Sequence, residues 1–197
     1  MNKKLFLAAL LLVSSTTFAQ NTSVSQIENR NKVSSEGFRV SLLRSDLDAQ
    51  AKVELDGRTI KGDMIEIDRT MGVAIGYASL PIQQLGWTAN LAYMELKAED
   101  VKVKMARIDA NLAYAFDSLI NIKGGLNVSD LRVKNSDVNY KPAVGLQAGI
   151  GLQITKNFGL DLSYVNMRNT AEIPVGSKTA DVTVTLDGPE LALTGTF

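Results

Sequence analysis

Residues 143–164 read AVGLQAGIGLQITKNFGLDLSY. Val144, Leu146, Ala148, Ile150, Leu152 and Ile154 alternate with Ala143, Gly145, Gln147, Gly149, Gly151 and Gln153. After the polar triplet Thr155-Lys156-Asn157 the alternation resumes, with Phe158, Leu160, Leu162 and Tyr164 opposite Gly159, Asp161 and Ser163. A period of two marks a strand, and two such runs joined by a short polar segment mark a hairpin. One face is large and apolar; the other is small or polar.

The same pattern recurs from Phe38 onward. It appears at Phe38, Val40 and Leu42; at Ile65, Ile67, Met71, Val73, Ile75 and Tyr77; at Trp87, Leu91 and Tyr93; and at Ile108, Leu112, Tyr114 and Phe116. It continues at Ile120, Ile122, Leu126 and Val128, and closes at Leu191, Leu193 and Phe197. With the quoted hairpin the count is eight strands. No stretch keeps helical spacing, so the expected fold is all-β. A soluble sandwich also alternates, but its solvent face is richly charged. Here the second face is mostly Gly, Ala, Ser, Thr and Asn, which suits the narrow lumen of an eight-stranded antiparallel up-and-down transmembrane β-barrel over residues 37–197.

Connection lengths support this. Long polar segments near residues 48–62, 97–104, 130–141 and 169–178 alternate with short ones at 80–86, 117–118 and 155–157, as in barrels with short periplasmic turns and longer outer loops. On that topology Phe38, Tyr77, Trp87, Phe116, Phe158 and Phe197 mark the periplasmic membrane interface, and Tyr93 and Tyr164 the opposite one. In the last strand Val182, Val184 and Leu186 lie on one parity and Leu191, Leu193 and Phe197 on the other, so Gly188-Pro189 is expected to form a register-shifting bulge. Arg69 falls on the apolar parity and is placed near the outer rim, where the first reading is an arginine that snorkels to the interface and the alternative one that meets lipopolysaccharide phosphates.

Lys3 and Lys4 precede an apolar run from Leu5 to Val13 and the segment Thr17-Phe18-Ala19. That order is the pattern of an export signal over residues 1–19, cleaved after Ala19. Residues 20–36, rich in Asn, Ser and Gln, are expected to be a flexible lead-in. Without the signal, 19 basic residues stand against 21 acidic ones, a net charge of −2. So small a charge gives no reason to expect a nucleic-acid partner. The chain has neither cysteine nor histidine, which removes thiol nucleophiles, disulfides, the usual general base and the commonest metal ligand. No cofactor and no metal are expected.

The inward parity collects charge. Glu66, Asp68, Arg107, Asp109, Lys123 and Asp161 are expected in the lumen, joined by Arg39 and Glu190. Mixed signs in a confined space must pair, because an isolated buried charge is costly. The reading they support is a polar plug; the alternative is a gate in which Arg107 or Lys123 exchanges carboxylates. A polar lumen disfavours a wide apolar conduit.

The signal segment, the hairpin GIGLQITKNFGLDLSY at 149–164 and the closing LALTGTF at 191–197 resemble the small outer-membrane barrels: the OmpA transmembrane domain, the OmpX and Ail group and the opacity-type surface antigens. The resemblance implies an outer-membrane location and recognition of the last strand, ending on Phe197, by the barrel-assembly machinery. It further implies contact with outer-membrane lipid and lipopolysaccharide, and surface ligands met through the outer loops. Enzymes of similar size generally use an active-site histidine, so no catalytic residue is assigned. The function expected is a structural or adhesion-like role, with a small porin-like or OmpW-like channel as the alternative.

Overall fold

A computed structural model of the chain describes residues 35–55, 57–67, 69–98, 101–117, 119–133, 138, 140–175 and 178–197. The expected signal at 1–19 lies outside them, as does all of the lead-in except its last two residues. Those two already belong to a strand: Ser35 and Glu36 pair with Leu80 and Ser79.

Ten strands follow one another: β1 (Ser35–Ser45), β2 (Asp48–Leu55), β3 (Arg58–Glu66), β4 (Arg69–Leu80), β5 (Leu85–Ala98), β6 (Val101–Ala115), β7 (Ile120–Val133), β8 (Lys141–Thr155), β9 (Phe158–Val175) and β10 (Lys178–Thr196). All pair antiparallel. β1, β4, β5, β6, β7, β8, β9 and β10 form a ring that closes through β1 and β10, where Arg39 faces Thr196 and Ser45 faces Glu190. Closure leaves no sheet edge at this level, the condition for a sheet to survive in lipid. The ring has the eight strands expected. Phe197 completes the seam: its N–H donates to the Phe38 carbonyl at 2.9 Å and its carbonyl accepts from the Phe38 N–H at 3.2 Å.

The two additional strands arise from breaks at one height. β1 stops at Ser45 and resumes as β2; β3 stops at Glu66 and resumes as β4. Across the break the Ile67 N–H donates to the Leu47 carbonyl at 3.0 Å, and both side chains turn inward and are buried. β2 continues along β10, from Asp187 opposite Asp48 to Asp181 opposite Glu54. Among the described residues β3 pairs with β2 alone. The segment expected as a long loop at 48–62 is therefore mostly a hairpin. The other outer connections are likewise shortened, since β5 and β6 run to Ala98 and from Val101, and β9 and β10 to Val175 and from Lys178. Cross-strand hydrogen bonding persists beyond the apolar belt because polar outward side chains are compatible with a strand in water.

Two expectations about register need correction. Gly188-Pro189 is no bulge: Asp187 faces Asp48 and Glu190 faces Ser45, the same spacing on both sides, and pairing with β9 is unbroken through Val165 and Tyr164. Gly188 faces inward, where a Cβ would lie 2.1 Å from the Asp46 carbonyl oxygen. Ile67, assigned to the outward face with Ile65, is instead 7% exposed and part of the interior. The causes differ: the outer half of the lumen is apolar, so Leu186 and Val184 belong on the inward parity of β10, whereas Ile67 lies in the break between β3 and β4 and turns inward although Ile65 and Met71 of the same parity are exposed.

Candidate functional site

The outward side chains form an apolar belt on every strand of the ring. Leu42, Ile75, Leu91, Leu112, Leu126, Leu146, Leu162 and Leu191 are all more than 40% exposed. On β6 the belt runs from Ala106 to Phe116; ten steps of about 3.3 Å at a tilt of about 40° rise roughly 25 Å, the height of a barrel's hydrocarbon band. At the end with the short turns the exposed rings gather. Phe38 meets Tyr77 edge-on and Tyr77 stacks on Trp87, both with centroids 5.6 Å apart, while Tyr114 and Phe116 meet at 5.2 Å. Phe158 pairs with Gly195, beside Phe197 at the same end. Tyr93 and Tyr164 are exposed farther up, and the Tyr164 hydroxyl donates to Asp187 at 2.6 Å. A belt of this extent is untenable in water.

The chain is a small eight-stranded membrane β-barrel.

No protein-family model and no curated protein matches the sequence. Solved structures do resemble the barrel. The outer membrane protein OprG from Pseudomonas aeruginosa is 13% identical, covering 83% of this chain and 97% of its own, with a TM-score of 0.47. Neisserial surface protein A is 21% identical over 82% of this chain and 97% of its own, TM-score 0.41. Ail, the attachment invasion locus protein of Yersinia pestis, is 16% identical over 79% and 99%, TM-score 0.40. The barrel assignment itself stands on the closed ring and the belt.

The interior is layered. In its middle, Arg107 is 1% exposed and chelates Glu190, with Nη2 to Oε1 at 2.7 Å and Nη1 to Oε2 at 3.0 Å. The same guanidinium reaches Asp109, Nη2 donating to Oδ2 at 3.1 Å and Nε standing 2.8 Å from Oδ1. Ser45 donates to Glu190 Oε2 at 2.9 Å. Nearby, Asp161 takes Arg39 at 2.9 Å and Lys123 at 3.4 Å. These three cations and three carboxylates neutralise one another, which offsets the cost of desolvating them. Gln147 donates to Asn111 at 2.8 Å, Asn111 donates to Thr88 at 3.1 Å, and Ser41 lies 2.9 Å from Thr194. A cavity of about 30 Å³ remains among these groups, large enough to hold water.

The structure thus brings together Arg107, Asp109, Lys123 and Asp161 of the expected set, with Arg39 and Glu190. Glu66 is not among them. It is exposed on β3, because the break at Ile67 puts β3 on the hairpin rather than in the ring. Asp68 lies outside the described residues.

Above the polar layer the lumen is filled by hydrocarbon, which the sequence reading missed. Leu43, Leu47 and Ile67 join Met94, Leu96, Met105, Leu131, Val165, Met167 and Leu186 in one buried cluster. Met94, Met105 and Met167 are fully buried, and the Met167 sulfur touches Arg107 Nη1 at 3.7 Å, where the two layers meet. A signal existed: on β5 the inward parity continues past Asn90 and Ala92 to Met94 and Leu96, and on β10 from Glu190 to Leu186 and Val184. The polar lumen expected from sequence is therefore only its middle part and the part toward the short turns, and the reason for disfavouring apolar contents does not hold for the part toward the long hairpins.

Beside this cluster Asn169, one inward step past Met167 on β9, donates to Ser129, one inward step before Leu131 on β7, at 3.0 Å. Outside the membrane Lys141 on β8 is paired with Glu172 on β9; each holds the other charged, so the Lys141 ammonium is pushed up and the Glu172 carboxyl is held down.

Proposed function

We propose that the protein is a non-enzymatic barrel that supports the outer membrane and presents its outer strands to partners. The observation that carries this is the packed interior: a neutral network of six charges around a cavity of about 30 Å³, with a Leu and Met septum above it. A filled barrel is a rigid mount, and function on such mounts sits in the exposed connections. Exchanging the β2–β3 hairpin and the β7–β8 connection for short turns, followed by binding assays on cells and serum proteins, tests the reading. Unchanged binding after both exchanges would remove it.

In this reading residues 1–19 are the export signal and the lead-in runs from 20 to the start of β1 at Ser35; N-terminal sequencing of the mature protein checks the cleavage point. The aromatic residues at both rims seat the barrel at the lipid interfaces, and the last strand with Phe197 engages the assembly machinery.

A second reading, a narrow conduit for small solutes, draws support from the septum. Methionine is flexible, and a Met-lined constriction can repack around an apolar guest. Planar-bilayer recording and vesicle uptake separate the two readings: a silent baseline without uptake leaves the mount, whereas uptake of apolar solutes abolished by Met105→Trp supports the conduit.

A further inference from the structure

Above the belt β9, β10, β2 and β3 continue as a four-stranded wall, and among the described residues its last strand, β3, pairs with β2 alone. Such an edge offers N–H and C=O groups to another strand. An irregularity in β3 bears on which strand fits. Gln50 faces Met64 but Lys52 faces Lys61, so Gly62 and Asp63 together oppose Ala51 in a bulge. A bulge shifts the alternation of sides by one residue. Ile60 and Ile65 therefore share the inner side: Ile60 lies across from Val53 and Val182, Ile65 across from Ala49 and the buried Leu186. Lys61 and Glu66 share the outer side, across from Lys52 and Thr183 and from Asp48 and Asp187. Ile60 and Ile65 are 68% and 54% exposed, and Lys61 and Glu66 are exposed as well.

A regular strand added to this edge would leave the bulge two residues against one, as β2 does. A second β3 running antiparallel sets two against two. Ile60 then faces Ile65 of the second copy and Lys61 faces its Met64, and every opposed pair lies on one side of the sheet. A shift by one residue would set the inner Ile60 against the outer Met64, so the sides fix the register. In that register Lys61 is the diagonal neighbour of Glu66 of the second copy, within reach of a long side chain. Inside its own hairpin each of them faces a like charge instead, Lys52 and Asp48. By the two-fold symmetry every contact occurs twice.

We propose that β3 pairs antiparallel with β3 of a second copy, as a homotypic contact between two facing membranes. The facing arrangement follows from symmetry. A two-fold axis perpendicular to the wall reverses the strand and with it the barrel axis, so the two barrels point at each other. Within one membrane the axis would run along the barrel, and strands tilted about 40° would cross at about 80°, too steep for a ladder. One strand per copy makes a single contact weak, and many copies on each membrane add up by avidity. This inference rests on the reading that the outer strands meet partners, and it names the partner.

The test uses the mature chain reconstituted in both orientations into phosphatidylcholine vesicles, with light scattering as the readout. Parent vesicles are expected to cluster. Lys61→Glu and Glu66→Lys vesicles should each cluster about tenfold more slowly, since each contact then opposes like charges twice. A mixture of the two variants should recover the parent's rate. Inside the hairpin each substitution turns a like pair into an opposite one, so slower clustering does not come from unfolding. Because the chain has no cysteine, Ile60→Cys vesicles mixed with Ile65→Cys vesicles should cross-link on oxidation, and neither population alone should. Dispersed parent vesicles, unchanged clustering after residues 48–66 are exchanged for a short turn, no recovery in the charge-swapped mixture, or cross-linking within one population overturns the pairing. Hairpin-dependent binding to cells or serum proteins without vesicle clustering would give the edge a foreign strand as its occupant; this inference then falls and the reading beneath it stands.

Discussion

Arg107 is the residue on which the interior turns. It is the common partner of Glu190 and Asp109 and it borders the apolar septum through Met167. Arg107→Ala leaves two buried carboxylates facing each other without a cation, and breaking a buried pair from one side costs about 3–5 kcal/mol. The fast-migrating folded band should convert to the slow form at distinctly lower temperature, and Arg107→Lys should recover only part of the loss, because an ammonium cannot fork onto Glu190. An unchanged transition would contradict the clamp. Gly188 offers a test of a different kind. A methyl group there meets the Asp46 carbonyl oxygen, so Gly188→Ala should cost about 1–3 kcal/mol by overpacking. A flexible bulge at the same place would absorb it, which urea titration of the folded band decides.

Among the elements, the β2–β3 hairpin is separable. β1 pairs with β4 and β10 independently of it, from Ser45 opposite Thr70 and Glu190 downward. Replacing residues 48–66 by a short turn should therefore preserve the heat-modifiable barrel while stripping β10 of one of its two neighbours over 181–187, β9 remaining. The amides of that stretch that point toward β2 should then exchange quickly, and those that point toward β9 and those of 190–196 slowly, in a hydrogen-exchange measurement. At the tips of β8 and β9 the exposed Lys141–Glu172 pair makes a pH-dependent contact. The Glu172 carboxyl is held below its ordinary value of 4.5, so its contribution is complete above that value and fades as pH falls through the depressed one. Amide exchange near Lys141 and Glu172 should accelerate only in that acid window, and Glu172→Gln should abolish the dependence. Full exposure of both groups keeps the effect small.

For the molecule as a whole, a filled lumen and a closed seam make separate demands. The filled lumen predicts a silent planar-bilayer baseline. The seam is held by the backbone of Phe197 and Phe38 rather than by the Phe197 ring, which is 79% exposed toward lipid. Phe197→Ala should thus refold in detergent with nearly the parent's thermal transition, yet accumulate more slowly in the outer membrane of cells if the ring is read during assembly. Pulse-labelling with heat-modifiable mobility as the readout checks both halves. An equal deficit in detergent would make the ring structural instead.

By itself the sequence determined the strand class, the eight-strand ring, the positions of the short turns and most of the lumen network. The physical reason is that a pleated strand presents alternate residues to opposite sides, so a period of two in hydropathy maps directly onto lipid and lumen. Arg107, Asp109, Lys123 and Asp161 were legible because each is a charge on the small-residue parity. The mapping fails where lipid and lumen are both apolar. There Val182, Val184 and Leu186 look like a slipped register although β10 keeps step and the lumen has changed character, and Ile67 looks like a lipid-facing residue although the break between β3 and β4 turns it inward. Only the tertiary structure decided that, because it takes neighbouring strands to show Met94, Met105, Met167 and Leu186 filling one space, and the break at Ile67 to take Glu66 out of the lumen.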